Sequence, residues 1–330
     1  MKKVAITGVR QAEIIEVPTP VPTGDLALVK ILVTPMCTEY KAYLQGTYRD
    51  CLGHEAVGEV VELAQPGHVK VGDRVVVTPL FPCGQCRLCR QGDYIHCQHN
   101  HPLTDATYAQ YILKPSWVLF KIRDDISNEH AALAICGLGP SFGAFQTLGV
   151  SAFDTVLITG LGPVGIGAVI NAKYRGSRVI AVESNAYRVQ LAQELGVDAV
   201  INPADPDAVR KIKELCDGEG PSCAVDCSGV VAAHRLCIDS VRRKGKVAFI
   251  GESFTETPVT ISNDLIRKGI HLIGSWHYNA NDFPSILQVI RNSPHLDKFI
   301  THVLPMSRIN EAFEISVSQN NAKILLKTWE

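Results

Sequence analysis

The sequence lacks any long apolar run and any strong bias of charge. Nowhere do 18 or more apolar residues follow one another, so no membrane-spanning helix is predicted. The formal net charge is −1, which leaves no general excess of cations for a nucleic-acid backbone or an anionic bilayer. The basic start is not followed by a long apolar core with a cleavage site, so no signal peptide is expected. We therefore expect a cytoplasmic protein whose partners are small molecules, with no nucleic acid and no membrane among them.

What is present is the composition of an ordinary folded protein. A chain of 330 residues exceeds the size at which a single hydrophobic core usually stops growing, so two domains are expected. The apolar fraction of 46% and charged fraction of 20% are typical of globular proteins. Eleven cysteines do not indicate a disulfide scaffold, because such scaffolds belong to short secreted chains. Clustered cysteines are therefore interpreted as metal ligands.

The pattern of apolar residues changes along the chain. The first part, to about residue 145, has short strands broken by Pro and Gly, predicted at 26–33, 57–63 and 74–78. After Asp154, buried strands alternate with helical stretches, which is typical of βαβ units and a parallel sheet. The predicted elements there are strands at 156–159, 179–182, 223–226, 246–250 and 271–274, with helices at 164–174 and 186–195. The last part returns to a mixed pattern, with a helix predicted at 283–292 and a strand at 323–327.

Four cysteines fall within one short segment, at 82–98. Cys83, Cys86 and Cys89 are separated by two-residue gaps, and Cys97 follows. This spacing suits a tetrahedral zinc site with four thiolate ligands. Such a site is closed and leaves no position for water or substrate, so the predicted zinc is structural. The alternative is a set of redox-active or metal-free thiols, for which a fourfold spacing is not needed.

A glycine-rich turn follows the strand predicted before residue 160. Gly160-Leu-Gly162-Pro163-Val164-Gly165 matches the dinucleotide-binding fingerprint and opens a helix, whose N-terminus would face the cofactor phosphates. Glu183 ends the next strand, where a carboxylate accepts hydrogen bonds from the adenosine ribose and repels a 2′-phosphate. NAD is therefore predicted in preference to NADP, with Arg188 nearby to moderate that preference. The alternative is a glycine-rich turn without a ligand.

Beside these two motifs, Cys37, the segment Gly53-His54-Glu55 and Cys136 resemble the zinc-dependent medium-chain dehydrogenases. The resemblance covers essentially the whole chain. It implies an α/β protein with a β-rich GroES-like catalytic domain at 1–145, a Rossmann domain at 146–275, and a return to the catalytic domain at 276–330. It further implies two zinc ions per subunit and a homodimer or homotetramer. Cys37, His54 and Cys136 would hold a catalytic zinc, with Glu55 as a carboxylate close to the metal.

The segment after Cys37 departs from the family pattern, in which a Ser or Thr two residues later relays the alcohol proton. Here the run is Cys37-Thr38-Glu39-Tyr40. Thr38 is the preferred relay, after a shift of one residue, and Glu39 and Tyr40 are its rivals. The histidine that completes the relay in some members has no evident equivalent, since Ala42 stands near its place.

The predicted function is a zinc-dependent NAD(H) oxidoreductase that interconverts an alcohol and an aldehyde or ketone by hydride transfer. Alternatives are a polyol, cyclitol or threonine-like amino-alcohol dehydrogenase on the same scaffold, and a non-enzymatic scaffold protein. Aromatic residues considered for the substrate pocket are Tyr40, Tyr43, Tyr108 and Trp276. The remaining cysteines are expected to be buried thiols: Cys51, Cys216, Cys223, Cys227 and Cys237.

Overall fold

The computed structural model describes residues 1–101 and 106–330. The chain divides into two compact units. The first comprises Met1–Cys136, Asn279–Arg291 and Ile300–Glu330, and the second comprises Gly137–Tyr278 and Asn292–Phe299. Within the described ranges no single helix has the length and apolar character to cross a membrane; one bent pair, 128–134 with 139–148, meets those criteria when combined. The boundaries predicted from the sequence stay a prediction.

The regular elements alternate between strands and short helices. The strands are β1 (Lys2–Gly8), β2 (Gln11–Glu16), β3 (Leu26–Pro35), β4 (Ala56–Leu63), β5 (Arg74–Val77), β6 (Tyr111–Pro115), β7 (Leu119–Lys121), β8 (Thr155–Thr159), β9 (Arg178–Val182), β10 (Ala199–Ile201), β11 (Cys223–Asp226), β12 (Lys246–Phe249), β13 (His271–Gly274), β14 (Ile300–Pro305) and β15 (Lys323–Lys327). The helices are α1 (Tyr40–Gln45), α2 (Arg87–Arg90), α3 (Asn128–Ala131), α4 (Gly139–Leu148), α5 (Pro163–Tyr174), α6 (Ala186–Glu194), α7 (Ala208–Glu214), α8 (Val231–Ser240), α9 (Phe283–Asn292) and α10 (Ile309–Ser318).

The first unit is organised around the long strand β3. In the described residues β3 pairs antiparallel with β4, β6 and β15, within a sheet of order β14-β15-β3-β4-β5-β7. Val29, Ile31, Val60 and Val77 share one hydrophobic core, so β-branched residues fill the inner face of the sheet. Because β3 and β4 are fixed by this core, the turns that follow β3 and precede β4 are held close together.

The second unit contains a parallel sheet of order β10-β9-β8-β11-β12-β13 among the described residues. Leu157, Ile180, Ala224 and Val247 form its core together with Ile238 from α8. In a parallel sheet the carboxyl ends of all strands lie at the same edge. The turns after β8, β9 and β11 therefore meet there. Gly160 and Glu183 begin the first two of these turns, and Asp226 is the last residue of β11.

The sequence-based elements agree closely with those observed. The helix predicted at 164–174 is Pro163–Tyr174, and the strand predicted at 26–33 extends to Pro35. The sequence analysis missed several elements, among them α4, α7, α8, α10, β10, β14 and the antiparallel pair β1-β2. The prediction of buried cysteines is wrong for Cys51, which is exposed, whereas Cys223 and Cys237 are buried and Cys216 and Cys227 lie between these extremes.

Candidate active site

The four predicted lobe cysteines come together around one point. Their sulfur atoms all lie within 4.8 Å of one another. The Cys86 to Cys89 separation is 3.5 Å, Cys97 to Cys83 is 3.6 Å, and both Cys83 to Cys89 and Cys86 to Cys97 are 4.0 Å. In a tetrahedral zinc site with Zn–S bonds of about 2.3 Å, adjacent sulfurs are about 3.8 Å apart. The observed distances therefore fit a zinc ion bound by four thiolates.

Backbone amides of the lobe support thiolate ligands. The amides of Cys86 and Cys89 donate to the sulfurs of Cys83 and Cys86, at 3.4 and 3.5 Å. The amide of Gln85 and that of Cys86 lower the pKa of the Cys83 thiol to about 6. Deprotonated sulfur is the form that binds a metal, so these amides favour the binding form of Cys83. Burial acts in the opposite direction on Cys89 and raises the pKa of its thiol.

A second cluster lies in the first unit and contains Cys37, His54, Glu55 and Cys136, whose ligand atoms are within 4.8 Å of one another. Cys37 follows β3, and His54 and Glu55 immediately precede β4. The His54 Nε2 atom lies 3.2 Å from the Cys136 sulfur. A hydrogen bond from Cys136 lowers the pKa of the Cys37 thiol well below its ordinary value. Two sulfurs and one imidazole form the donor set of a known type of catalytic zinc site, which keeps a fourth position open.

Glu39 orients the imidazole of this cluster. Its Oε1 atom lies 2.9 Å from His54 Nδ1, while Oε2 accepts hydrogen bonds from the Cys37 amide at 2.9 Å and the Tyr108 hydroxyl at 3.0 Å. Burial raises the pKa of Glu39, but the charge and hydrogen bond of His54, together with hydrogen bonds from the Glu39 and Cys37 amides, outweigh burial and bring the pKa to about 2. A carboxylate on Nδ1 leaves Nε2 directed to the metal position, which is the usual arrangement behind a histidine ligand.

Glu55 is held by a buried ion pair that the sequence analysis missed. Its Oε1 atom lies 2.6 Å from Lys323 Nζ, and neither side chain is exposed. Lys323 also donates to the carbonyl of Met36, and Glu55 Oε2 accepts a hydrogen bond from the Cys136 amide at 2.9 Å. The pair thus connects the last strand of the chain to the segments that carry Cys37 and Cys136. Burial lowers the pKa of Lys323, but the charges of Glu55, Cys37 and Cys136 and the hydrogen bond to Glu55 together outweigh burial, and the net shift is upward.

The remaining residues after Cys37 occupy different environments. Thr38 is exposed, whereas Tyr43 is buried and stacks on Phe313 with ring centroids 4.5 Å apart. Tyr108 is also buried, with its hydroxyl on Glu39. The expectation that Tyr43 and Tyr108 line a substrate pocket is therefore wrong, because both rings belong to the core of the first unit.

The three glycines of the turn in the second unit have different surroundings. Gly160 has φ of +80°, which favours glycine. A Cβ on Gly165 would lie 1.8 Å from the Gly160 carbonyl, so the helix can approach the strand this closely only without a side chain. A Cβ on Gly162 would enter open space, with Arg188 Nη1 at 4.0 Å as its nearest neighbour. Open space beside a cation and a helix N-terminus fits a pyrophosphate.

The carboxylate of Glu183 lies beside this turn. Its Oε2 atom accepts a hydrogen bond from the Leu161 amide at 2.8 Å, and Oε1 accepts from the amides of Ser184 and Asn185. Asn185 in turn caps α6 by accepting from the Arg188 amide. Glu183 is thus fixed at the end of β9, next to the loop that Gly162 opens.

A buried network that sequence reasoning missed supports the same edge of the sheet. Asp226, at the end of β11, accepts hydrogen bonds from the Thr159 and Ser228 hydroxyls at 2.7 and 2.6 Å and from the Gly229 amide at 2.9 Å. His234 lies 3.2 Å from the same carboxylate. An Asp at the last position of a buried strand is the signal in the sequence. The network fixes the turn after β11 against the glycine loop.

Comparisons with known proteins agree with this geometry. The family model described as the alcohol dehydrogenase GroES-like domain matches residues 23–124, and the zinc-binding dehydrogenase model matches residues 163–292. An L-threonine 3-dehydrogenase from Coxiella burnetii is 32% identical over 95% of this chain and 94% of its own length. A D-arabitol-phosphate dehydrogenase from Enterococcus avium is 29% identical over 97% and 95%. The alcohol dehydrogenase TADH from Thermus sp. ATN1 has the same fold, with a TM-score of 0.92 at 23% identity over 99% of each chain.

The chain therefore belongs to the zinc-dependent medium-chain dehydrogenase/reductase family. It is an oxidoreductase of the alcohol dehydrogenase type, and the predicted fold class, a Rossmann domain with a GroES-like domain, is confirmed.

Proposed function

We propose that Cys37, His54 and Cys136 hold a catalytic zinc and that Cys83, Cys86, Cys89 and Cys97 hold a structural one. The observation that carries this proposal is the contact of Glu39 with His54 Nδ1, at 2.9 Å, while Nε2 lies 3.2 Å from the Cys136 sulfur in a cluster that also contains Cys37. A histidine buried for packing alone has no need of a carboxylate on one nitrogen and thiols at the other. Glu55 supports this site by accepting a hydrogen bond from the Cys136 amide.

At this site the substrate alcohol loses a proton from its oxygen and a hydride from its carbon. Zinc, when bound, supplies a Lewis acid that lowers the pKa of the alcohol hydroxyl. Two carboxylates hold the proposed zinc ligands in place. Glu39 fixes the imidazole ring of His54, and Glu55 fixes the Cys136 backbone by accepting a hydrogen bond from the Cys136 amide. The exposed Thr38 hydroxyl, adjacent to Cys37, accepts the alcohol proton and passes it to water. Glu39 is a poorer relay, since its two oxygens already bind His54, Tyr108 and the Cys37 amide.

The glycine turn at 160–165 is the proposed cofactor site, with Pro163 and Val164 opening the helix that faces the pyrophosphate. The nicotinamide cofactor, when bound, supplies the hydride acceptor. Glu183 favours NAD over NADP, because its fixed carboxylate would repel a 2′-phosphate. Arg188 beside Gly162 attracts the pyrophosphate and moderates the preference.

The substrate is an alcohol oxidised to an aldehyde or ketone. A second candidate is a polyol or amino alcohol, favoured by the similarity to the D-arabitol-phosphate dehydrogenase of Enterococcus avium and the L-threonine 3-dehydrogenase of Coxiella burnetii. Assays with primary alcohols, secondary alcohols, polyols and threonine, following absorbance of the reduced cofactor, separate the two. Turnover of none of these with either NAD or NADP would contradict the proposed function. A homodimer or homotetramer and a cytoplasmic location stay predictions.

The catalytic metal assignment is tested by replacing Cys136 with Ala. We expect loss of one of two zinc ions per chain, measured by elemental analysis, with loss of turnover and retention of NAD binding. Cys51→Ala is the matched control, because Cys51 is exposed and belongs to neither cluster. Full zinc content in C136A would overturn the assignment whatever its activity.

A further inference from the structure

The second unit has a cationic cleft at the edge of its sheet opposite the glycine turn. Its volume is about 970 Å³, and its cationic lining residues are Lys213, Arg242, Arg243, Lys244 and Lys268. Lys213 lies in the last turn of α7, residues 242–244 lie between α8 and β12, and Lys268 precedes β13. These residues lie before the amino ends of the parallel strands β11, β12 and β13, whereas Gly160 lies after the carboxyl end of β8. The cleft is therefore separate from the proposed cofactor site.

Positive charge in this cleft is only partly compensated by neighbouring carboxylates: the charges of Asp239 and Asp264 act on Lys268, and Arg242 lowers the pKa of Asp154. The acidic lining residues are Glu219, which is exposed, and Asp239, which is already paired with Arg235 at 2.5 Å. In the described parts of the chain, the side chains of Lys213, Arg242 and Lys244 make no hydrogen bond and no ion pair. Burial, and after it the charge of Lys213, lowers the pKa of Lys268. A chain with a net charge of −1 thus concentrates unpaired cations at one place.

The walls of the cleft are fixed by backbone hydrogen bonds. The Arg242 amide donates to the Pro221 carbonyl at 3.0 Å, and the Lys244 amide donates to the Lys268 carbonyl at 2.8 Å. Lys268 Nζ donates to the Ile238 carbonyl at the end of α8. A ligand would meet walls that need little ordering, which reduces the entropy cost of binding.

We propose that this cleft binds a small molecule carrying at least two phosphate groups. Lysine and arginine are the side chains that recognise phosphate, and three unpaired cations exceed what a single carboxylate or monophosphate needs. A volume near 970 Å³ is at the upper end of the range for small-molecule sites. A long nucleic acid is disfavoured, because the rest of the chain carries no excess of positive charge along which its backbone could extend. This binding is independent of the proposed catalytic function.

Calorimetric titration of the full protein with tripolyphosphate tests the proposal, with NAD absent and then saturating. We expect binding in both conditions, weakened as ionic strength rises. Each of K213Q and K244Q should weaken binding about tenfold, since a hydrogen bond to a charged group contributes roughly that factor. Circular dichroism checks that both variants fold.

K211Q is the matched control, because Lys211 lies on the same helix, does not line the cleft and is paired with Asp205. Its affinity for tripolyphosphate should equal that of the wild type. The proposal is overturned if NAD displaces tripolyphosphate, if K213Q and K244Q bind it unchanged, or if K211Q loses as much affinity as they do. Tighter binding of a single-stranded oligonucleotide, with the same loss in K213Q, would overturn the small-molecule assignment.

Discussion

Lys323 Nζ lies 2.6 Å from Glu55 Oε1, and both side chains are completely buried. Removing one member of a buried pair leaves an uncompensated charge, which costs about 3–5 kcal/mol. Lys323→Met should therefore lower the free energy of unfolding by that amount in urea titrations. The Glu55→Gln/Lys323→Met double variant should recover part of the loss, because no isolated charge remains.

Lys327 provides the control on the same strand. It is partly exposed and its nearest carboxylates, on Glu129 and Glu330, are 3.7 and 3.5 Å away. Exposed pairs of this kind contribute about 0–1 kcal/mol. If Lys327→Met and Lys323→Met lowered the free energy of unfolding equally, the loss in Lys323→Met could not be attributed to the buried Lys323–Glu55 pair.

The sequence predicted the second unit better than the arrangement around Cys37. In the second unit the signals are local: a buried strand, a glycine turn and a helix follow one another, and β8 and α5 lie within a residue of where they were expected. The pairing of Lys323 with Glu55 joins residues 268 positions apart. No spacing rule predicts such a contact, because it depends on β15 pairing with β3.

The sequence also did not predict the contact between Glu39 and His54. Glu39 was identified as a rival proton relay because of its position after Cys37. Its contact with His54 depends on the antiparallel pairing of β3 with β4, which brings the segments after β3 and before β4 together. Two features of the sequence indicate these buried polar partners. Lys323 begins the otherwise apolar strand Lys323–Lys327, and Glu39 lies two residues after Cys37.

Glu39 should increase the affinity of the Cys37, His54 and Cys136 site for zinc. A residue that hydrogen-bonds the second ring nitrogen of a ligand histidine typically increases metal affinity about 10- to 100-fold. Glu39→Ala should therefore release zinc to a chelator at roughly 10- to 100-fold lower chelator concentration, and Glu39→Gln, which can still accept a hydrogen bond, should show a smaller effect. Glu13→Ala is the control, since Glu13 is exposed on β2. Unchanged zinc retention in Glu39→Ala would contradict the orienting role.

Gly162 and Gly165 should separate cofactor binding from folding. A Cβ at Gly162 enters open space at a φ of −63°, so Gly162→Ala should keep the wild-type Tm but weaken NAD binding about tenfold or more. A Cβ at Gly165 would be 1.8 Å from the Gly160 carbonyl, so Gly165→Ala should lower the Tm as well. Thermal unfolding and NAD titration measure the two effects. Wild-type NAD affinity in Gly162→Ala would argue against this cofactor site.

Glu183 should control the choice of cofactor. Glu183→Ser removes the charge that repels a 2′-phosphate, so the ratio of kcat/KM for NAD to that for NADP should fall by about tenfold or more. The substitution also removes the acceptor of the Leu161 amide, so some loss of NAD affinity should accompany it. Glu194→Ser is the control, because Glu194 pairs with Lys298 at the far end of α6. An unchanged ratio in Glu183→Ser would reject the assignment.

Ser222 should stabilise the protein through Asp154 in a pH-dependent way. Burial raises the pKa of Asp154, but hydrogen bonds from Ser222, at 2.7 Å, and from Ser151 outweigh it, and the net pKa is lowered. A lowered pKa in the folded state contributes stability above the unfolded pKa of about 3.9, and that contribution is lost as pH falls through the folded value. Ser222→Ala should thus reduce the free energy of unfolding by about 1 kcal/mol at pH 7.

The difference between Ser222→Ala and the wild type should shrink as the pH falls below about 4, where Asp154 becomes protonated. Urea titrations at several pH values measure this. Ser240→Ala is the control: the buried Ser240 hydroxyl has no hydrogen-bond partner in the described residues, so its removal should leave stability unchanged or slightly higher at every pH. A pH-independent loss in Ser222→Ala would mean that the Ser222 hydroxyl acts through packing or through the Thr155 carbonyl, 3.2 Å away, because only a bond to the charged carboxylate weakens when Asp154 takes up a proton.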